Sequence, residues 1–269
     1  MSGFSADWLA LREPYDRAAR NPSVLAAVGR HFSGQGAIAV VDLACGTGST
    51  MRAIAAHLPA RQAWRLVDND LSLLARAASP APTAQMTVLG KPVDLARDLE
   101  LALEGPLDLV TTSALFDLVS QPWLDRLALE AAARNLPVYA ALTYNGEAAL
   151  DPADRFDTQI VDAVNRHQRT DKGFGPALGP AAAEAAKRAF EGVGYALAQG
   201  RSDWSFGPDD RDIQMQTLAG WATAVRELGD LPAGEIAAWL DRRGGHVAAG
   251  RSNMTVGHVD LFASPMGRR

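Results

Sequence analysis

The chain has one cysteine, Cys45. A lone thiol excludes an intramolecular disulfide and any metal site built on several thiolates. Long apolar runs are also missing. No stretch approaches the roughly 18 apolar residues of a membrane span. Lysine and arginine total 26 against 31 aspartates and glutamates, a formal net charge of −5, and no dense basic run occurs. Nucleic acid is therefore disfavoured as a main substrate, because phosphate contacts need grouped positive charge. The opening MSGFSADWLALREPYDR carries acidic groups and no apolar centre, so it does not read as a secretory signal. In the polar segment 151–179 the one histidine, His167, stands among scattered aspartates without metal-ligand spacing. The expectation is a cytoplasmic protein, monomer or homodimer, without metal, membrane or nucleic acid. With 48% hydrophobic and 21% charged among 269 residues, one domain with insertions, or at most two, is expected. Internal repeats and low-complexity tracts are absent.

What the chain does have is organised around Val40 to Thr50, VVDLACGTGST. The β-branched run from Ile38 to Val41 reads as a buried strand ending at Asp42. A turn of small residues follows, Ala44-Cys45-Gly46-Thr47-Gly48, and then a helix from Thr50 to Leu58. Strand, tight turn and helix open a doubly wound sheet, where ligands sit beyond the carboxyl ends of the strands. Small residues suit a sharp turn that a ligand approaches closely.

This stretch resembles motif I of the class I S-adenosylmethionine (SAM) dependent methyltransferases, an acidic residue followed by GxGxG. Ala44 stands where the first glycine usually is, which requires that position to keep φ below zero. A nicotinamide or flavin turn, GxGxxG, would need glycines at 44, 46 and 49, and only Gly46 is present. The resemblance implies a seven-stranded, mostly parallel sheet of order 3-2-1-4-5-7-6 with helices on both faces. It also implies SAM as cofactor, contacted by Asp42, Ala44, Cys45, Gly46, Thr47 and Gly48.

The rest of the chain fits that frame. Helices from Trp8 to Arg20, interrupted at Pro14, and from Ser23 to Phe32 form a cap over residues 1–35. Arg12, with Tyr15 and Arg17, can reach a ligand carboxylate from there; the alternative is plain packing. A second strand, Ala63 to Val67, runs into Asp68-Asn69-Asp70, about twenty residues past the glycines, where a carboxylate accepts ribose hydroxyls. Asp68 takes that role, with Asn69 beside it, and Asp70 serves as contender or as N-cap of a helix from Leu71 to Ala78. Ser79 to Pro82 is a linker, and Met86 to Leu89 a third strand. Asp94-Leu95 resembles the pair with which the family addresses adenine; alternatively Asp94 caps a helix from Leu95 to Leu103. The fourth strand, Leu107 to Ser113, brings Ser113 to the cofactor and Phe116 and Asp117 to the acceptor. Asp117 is a catalytic base or the first acid of a helix reaching Ala133. The Asn-Pro-Pro-Tyr of some amino methyltransferases is missing here.

The fifth strand, Leu136 to Thr143, has the continuous apolar character of a central parallel strand. It turns away at Tyr144-Asn145-Gly146-Glu147. Residues 147–180 read as an inserted helix, Ala153 to Arg169, and a Gly- and Pro-rich loop, together an acceptor lid or a solvated surface helix. Residues 36–146 and 181–269 make the cofactor-binding domain. Asn145, Asn165, Arg169 and Lys172, with Phe116, are the acceptor-binding candidates; His167, Tyr144 and Asp117 are the candidate bases. A helix from Ala181 to Val193 and a sixth strand, Tyr195 to Phe206, follow. Two helices, to Leu228 and from Ala233 to Arg242, precede a last strand, Asn253 to Ala263. The expected function is methyl transfer from SAM to oxygen or nitrogen of a small molecule. The alternatives are an NAD(P)-dependent oxidoreductase, a non-catalytic SAM-binding module, and methylation of RNA or protein.

Overall fold

A computed structural model describes residues 4–78 and 83–266. The expected linker Ser79–Pro82 lies outside the described residues. Eight strands form one sheet of order β3-β2-β1-β4-β5-β8-β6, with β7 paired to β8 beside that path. The strands are β1 (Ala37–Leu43), β2 (Arg61–Asp68), β3 (Met86–Pro92), β4 (Leu109–Ser113), β5 (Val138–Asp151), β6 (Tyr195–Arg201), β7 (Trp204–Phe206) and β8 (Asn253–Pro265). β1 to β5 run parallel, and β8 runs antiparallel to β5, β6 and β7. The expected strand order is present, with the expected sixth strand divided into β6 and β7.

Alternation along the strands separates two cores, because successive side chains point to opposite faces. Val41, Leu43, Val110 and Val138 pack on one face with the helices α6 (Gln121–Arg134) and α8 (Ala182–Gly192). Val40, Trp64, Leu66 and Tyr139 pack on the other with α2 (Pro22–His31), α3 (Ser49–Ile54) and α4 (Leu71–Ala77). A third core lies beyond the parallel sheet. There α7 (Asp157–His167), α9 (Arg211–Leu228) and α10 (Ala233–Ala248) close on β7, β8 and the far half of β5. The buried Arg243 guanidinium ties this part together by donating to Asp157 and to the Pro152 carbonyl.

Several expected boundaries move. α1 (Ala6–Ala19) continues straight through Pro14. Proline there removes one N–H, while the Arg12–Asp16 ion pair, at 2.9 Å on the buried side, holds the turn. The expected turn at Tyr144–Glu147 is instead strand, since pairing with β8 carries β5 to Asp151 through two register shifts. Residue 147, the expected start of the inserted segment, therefore lies inside β5. The helix expected from Leu95 shrinks to α5 (Leu99–Ala102), and the one expected from Asp117 starts at Gln121. The inserted helix starts at Asp157.

Candidate active site

Two cavities of about 650 and 550 Å³ meet beyond the carboxyl ends of β1 and β4, beside the middle of β5. Arg12, Ala114, Leu118, Lys172 and Phe4 border both, so the cavities join at a neck. The backbone around them is strained. Ala44, Ala114 and Leu142 all have φ near +50°, one after each of β1 and β4 and one within β5. Such a conformation costs a residue with a Cβ about 1–2 kcal/mol. Strain of this kind concentrates where a ligand must be met. The requirement that Ala44 keep φ negative is thus corrected: φ is 51° there, and the methyl group is the smallest side chain that can be forced into it.

The first cavity is walled by the turn after β1. Ala44, Cys45, Gly46, Thr47, Ser49 and Thr50 line it, facing Asp68, Asn69, Asp94, Leu95, Ser113 and Arg12. The Cys45 N–H donates to the Val67 carbonyl at 2.9 Å, clamping the turn to β2. Asp68 accepts from the Gly46 N–H at 2.8 Å and the Asp70 N–H at 2.9 Å, so one carboxylate fixes both the turn and the end of β2. Gly46 has φ 53°, and a Cβ there would lie 3.2 Å from Leu9 of α1. Asp70 caps α4 by accepting from the Ser72 hydroxyl and from the N–H groups of Leu73 and Ser72, which lowers its pKa. Asp94 accepts from the Ala96 N–H at 3.0 Å, closing a local turn and capping no helix. Burial raises the Cys45 thiol well above its ordinary pKa, so it is unreactive.

Two expected cofactor contacts are not on this wall. Asp42 is fully buried beneath the turn and accepts from Thr111 Oγ1 at 2.8 Å, joining β1 to β4. Burial pushes its pKa up to about 7. Gly48, with φ 82°, starts α3 and packs toward Ala77.

The second cavity brings together all three candidate bases, Asp117, Tyr144 and His167. Asp117 is buried, and its Oδ1 has no hydrogen-bond partner among the described residues. Burial raises its pKa to about 6, opposed by backbone N–H groups and the Arg12 charge. Tyr144 donates to Asn165 Oδ1 at 2.8 Å, and burial beside Asp117 raises its pKa, so it keeps its proton. His167 Nε2 lies 2.8 Å from Glu227 and its Nδ1 lies 3.2 Å from Lys172 Nζ.

Of the acceptor-binding candidates, only Lys172 reaches a cavity wall. Phe116 is buried in the sheet core, stacked on Phe190. Asn145 accepts from the Glu147 N–H, serving the bulge in β5. Asn165 binds Tyr144 and the Gly146 carbonyl, tying α7 to β5. Arg169 is exposed and packs by its stem near Gly179.

Sequence reasoning missed the rings. Trp8, Trp204, Trp221 and His258 line the second cavity. Trp204 donates to Asp16 at 2.9 Å across 188 positions of sequence. Arg12 lies 4.9 Å from the centre of the Trp204 ring and donates through Nε to Asp16. His258 Nδ1 sits 3.0 Å from the Val256 carbonyl, which assigns the proton to Nδ1 and leaves Nε2 as an acceptor. Burial and the Arg12 charge hold its pKa down to about 3, so the ring is neutral. Alternation along β8 was the one available signal: Val256 and His258 share a face.

No protein-family model matches the chain. No curated protein sequence matches it. Solved structures do match, over nearly the whole chain. A cyclopropane-fatty-acyl-phospholipid synthase-like protein from Lactobacillus casei is 13% identical, with TM-score 0.55, covering 97% of this chain and 94% of that one. The cyclopropane synthase MmaA2 from Mycobacterium tuberculosis is 13% identical, with TM-score 0.52 and the same coverage. The mycolic acid cyclopropane synthase CmaA1, complexed with SAH and CTAB, is 10% identical, with TM-score 0.52. The chain has the fold of the class I SAM-dependent methyltransferases. Within that fold, the first cavity occupies the crevice beyond β1 and β2 where ligands of doubly wound sheets sit. The second lies on the third core, outside the parallel part of the sheet. No described helix is long and apolar enough to cross a membrane.

Proposed function

We propose that this protein transfers a methyl group from SAM to the oxygen or nitrogen of a small acceptor. The observation that carries the reading is the neck: a cavity with nucleoside-binding chemistry opens there onto a second cavity walled by a buried carboxylate.

The residues fit the cofactor. The first cavity is of ligand size. Gly46 leaves room that a Cβ would fill, and Asp68 stands at the end of β2 with the turn organised around it. Asp68 and Asn69 would hold the ribose, Asp94 and Leu95 the adenine, and the turn with Arg12 the amino-acid end. When bound, SAM supplies a methyl group on a sulfonium, a leaving group already activated. The chain then has to bind, orient and exclude water. α1 does the last, laying Leu9 and Arg12 along the cavity, with Phe4 just before the helix. Asp117 is the group placed to take an acceptor proton. Its pKa of about 6 leaves it ionised at neutral pH yet basic enough to act.

Calorimetric titration with S-adenosylhomocysteine (SAH), with NADH as control, tests the reading. Micromolar binding of SAH alone supports it, and binding of NADH alone would turn it to a dehydrogenase. The second reading, methylation at carbon of a lipid-like acceptor, draws on the apolar walls of the second cavity and on the names of the cyclopropane synthases. Labelled SAM with an unsaturated fatty acyl substrate separates the two.

A further inference from the structure

We infer that the acceptor is an aromatic hydroxyl compound, ionised at the neck by transfer of its proton to Asp117 and held there as the anion by Arg12 and Lys172. The inference rests on the methyl-transfer reading and names the substrate class for it.

Shape comes first. The second cavity presents flat faces: Trp8 and Trp204 meet edge to face at 6.3 Å, and His258 lies 4.9 Å from Trp204 and 6.0 Å from Tyr144. Planar rings pack well against such walls.

Charge comes second, and it separates a hydroxyl from an amine. An aromatic chamber can hold an ammonium ion on a ring face. Here the Trp204 ring already carries the Arg12 guanidinium. Burial first, and then the same charge, keep His258 neutral, and the ring face that a ligand cation would use is already taken by Arg12, itself paired with Asp16. Arg12 uses Nε on Asp16, and its two terminal nitrogens have no hydrogen-bond partner among the described residues. Lys172 Nζ donates to His167 Nδ1 at 3.2 Å and Thr170 Oγ1 at 3.0 Å, which leaves one of its three N–H groups. Glu227 on the far side of His167 orients that ring, so its Nδ1 accepts from the lysine. Two cations with donors to spare therefore border the neck, and among the described residues Asp117 is the only carboxylate on the second cavity wall.

Proton transfer follows from that pairing. The hydroxyl O–H bond breaks, the proton joins Asp117 Oδ1, and the electron pair stays on the acceptor oxygen. The carboxyl that results is neutral, which suits its burial. The anion is left beside Arg12 and Lys172. Tyr144, His167 and His258, the other titratable groups on this wall, do not need to change charge.

The test uses para-nitrophenol, whose anion absorbs visible light, and the full chain saturated with SAH. The expected result is binding with an ionisation constant about tenfold above that of the free dye, seen as a gain of anion absorbance near neutral pH. Lys172→Met should abolish most of the gain, Lys172→Arg should restore it, and thermal melting checks that each variant is folded. A bound dye that stays neutral would overturn the inference. So would tighter binding of benzylamine, a cation of similar size, or binding of SAH without the dye. Failure of the wild type to bind SAH would overturn the methyl-transfer reading beneath it, and the SAH arm tells the two failures apart.

Discussion

The first cavity takes about half of its wall from three short stretches, 44–50, 68–70 and 93–96. The second gathers Trp8 from α1, Tyr144 from β5, His167 from α7, Trp204 from β7, Trp221 from α9 and His258 from β8. One is local in sequence and held by peptide N–H groups; the other is dispersed and held by side chains. A turn bound to a carboxylate, Gly46 N–H to Asp68, suits a ligand that many proteins share. Rings brought from opposite ends of the chain suit a ligand particular to this one. The two can therefore be broken separately, and the predictions run from the largest effect to the smallest.

Asp117→Asn should cut turnover by about 10²–10⁴-fold, the usual worth of a general base, while leaving SAH affinity unchanged. Wild-type turnover should rise as pH passes through about 6, where Asp117 ionises, and this limb should vanish in the variant. Stability should move the other way. The folded pKa of Asp117, about 6, lies above its ordinary 3.8, so the folded state binds the extra proton and loses stability as pH rises through that interval. Asp117→Asn should thus raise the melting temperature at neutral pH and change it little below pH 3.8. Parallel melting curves across that range check the sign. A lower melting temperature at neutral pH would make Asp117 a structural group.

Gly46→Val should weaken SAH by about 100-fold, since a β-branched residue at φ 53° is strained and its Cβ meets Leu9. Calorimetry reads the affinity, and unchanged turnover would count against the whole first cavity. Asp68→Ala should cost about 1–3 kcal/mol of SAH binding, through lost acceptors for the ligand and for the N–H groups of Gly46 and Asp70. Ala44→Gly should stabilise the protein by about 1 kcal/mol by relieving φ 51°, as denaturant titration would show. Arg169→Ala, off both walls, should change binding and turnover hardly at all; a large loss in a kinetic assay would put the arginine back into the acceptor site.

Legibility in the sequence followed the same division. VVDLACGTGST and the aspartates at 68 and 94 announced the first cavity because its parts are contiguous, and composition rules for strands and turns apply to contiguous residues. Asp42 was misplaced because sequence records an acid at a strand end but not which way that residue faces. The parity of β1 turns it inward to Thr111. Tyr144–Glu147 looked like a turn because Asn-Gly favours one. Pairing with β8 on both sides of those residues overrode that local preference. Phe116 looked like an acceptor contact from its place after β4, and Asn165 and Arg169 from polarity, while the three tryptophans on the second cavity carried no mark linking them. Their neighbourhood depends on α9 and α10 being inserted before β8, a tertiary fact.

The most direct test of this division is a side-by-side SAH titration of wild type, Asp68→Ala and Asp117→Asn. The account predicts micromolar affinity in the wild type, a loss of about tenfold or more in Asp68→Ala, and no change in Asp117→Asn. Equal losses in both variants, or SAH bound by neither the wild type nor the variants, would contradict it.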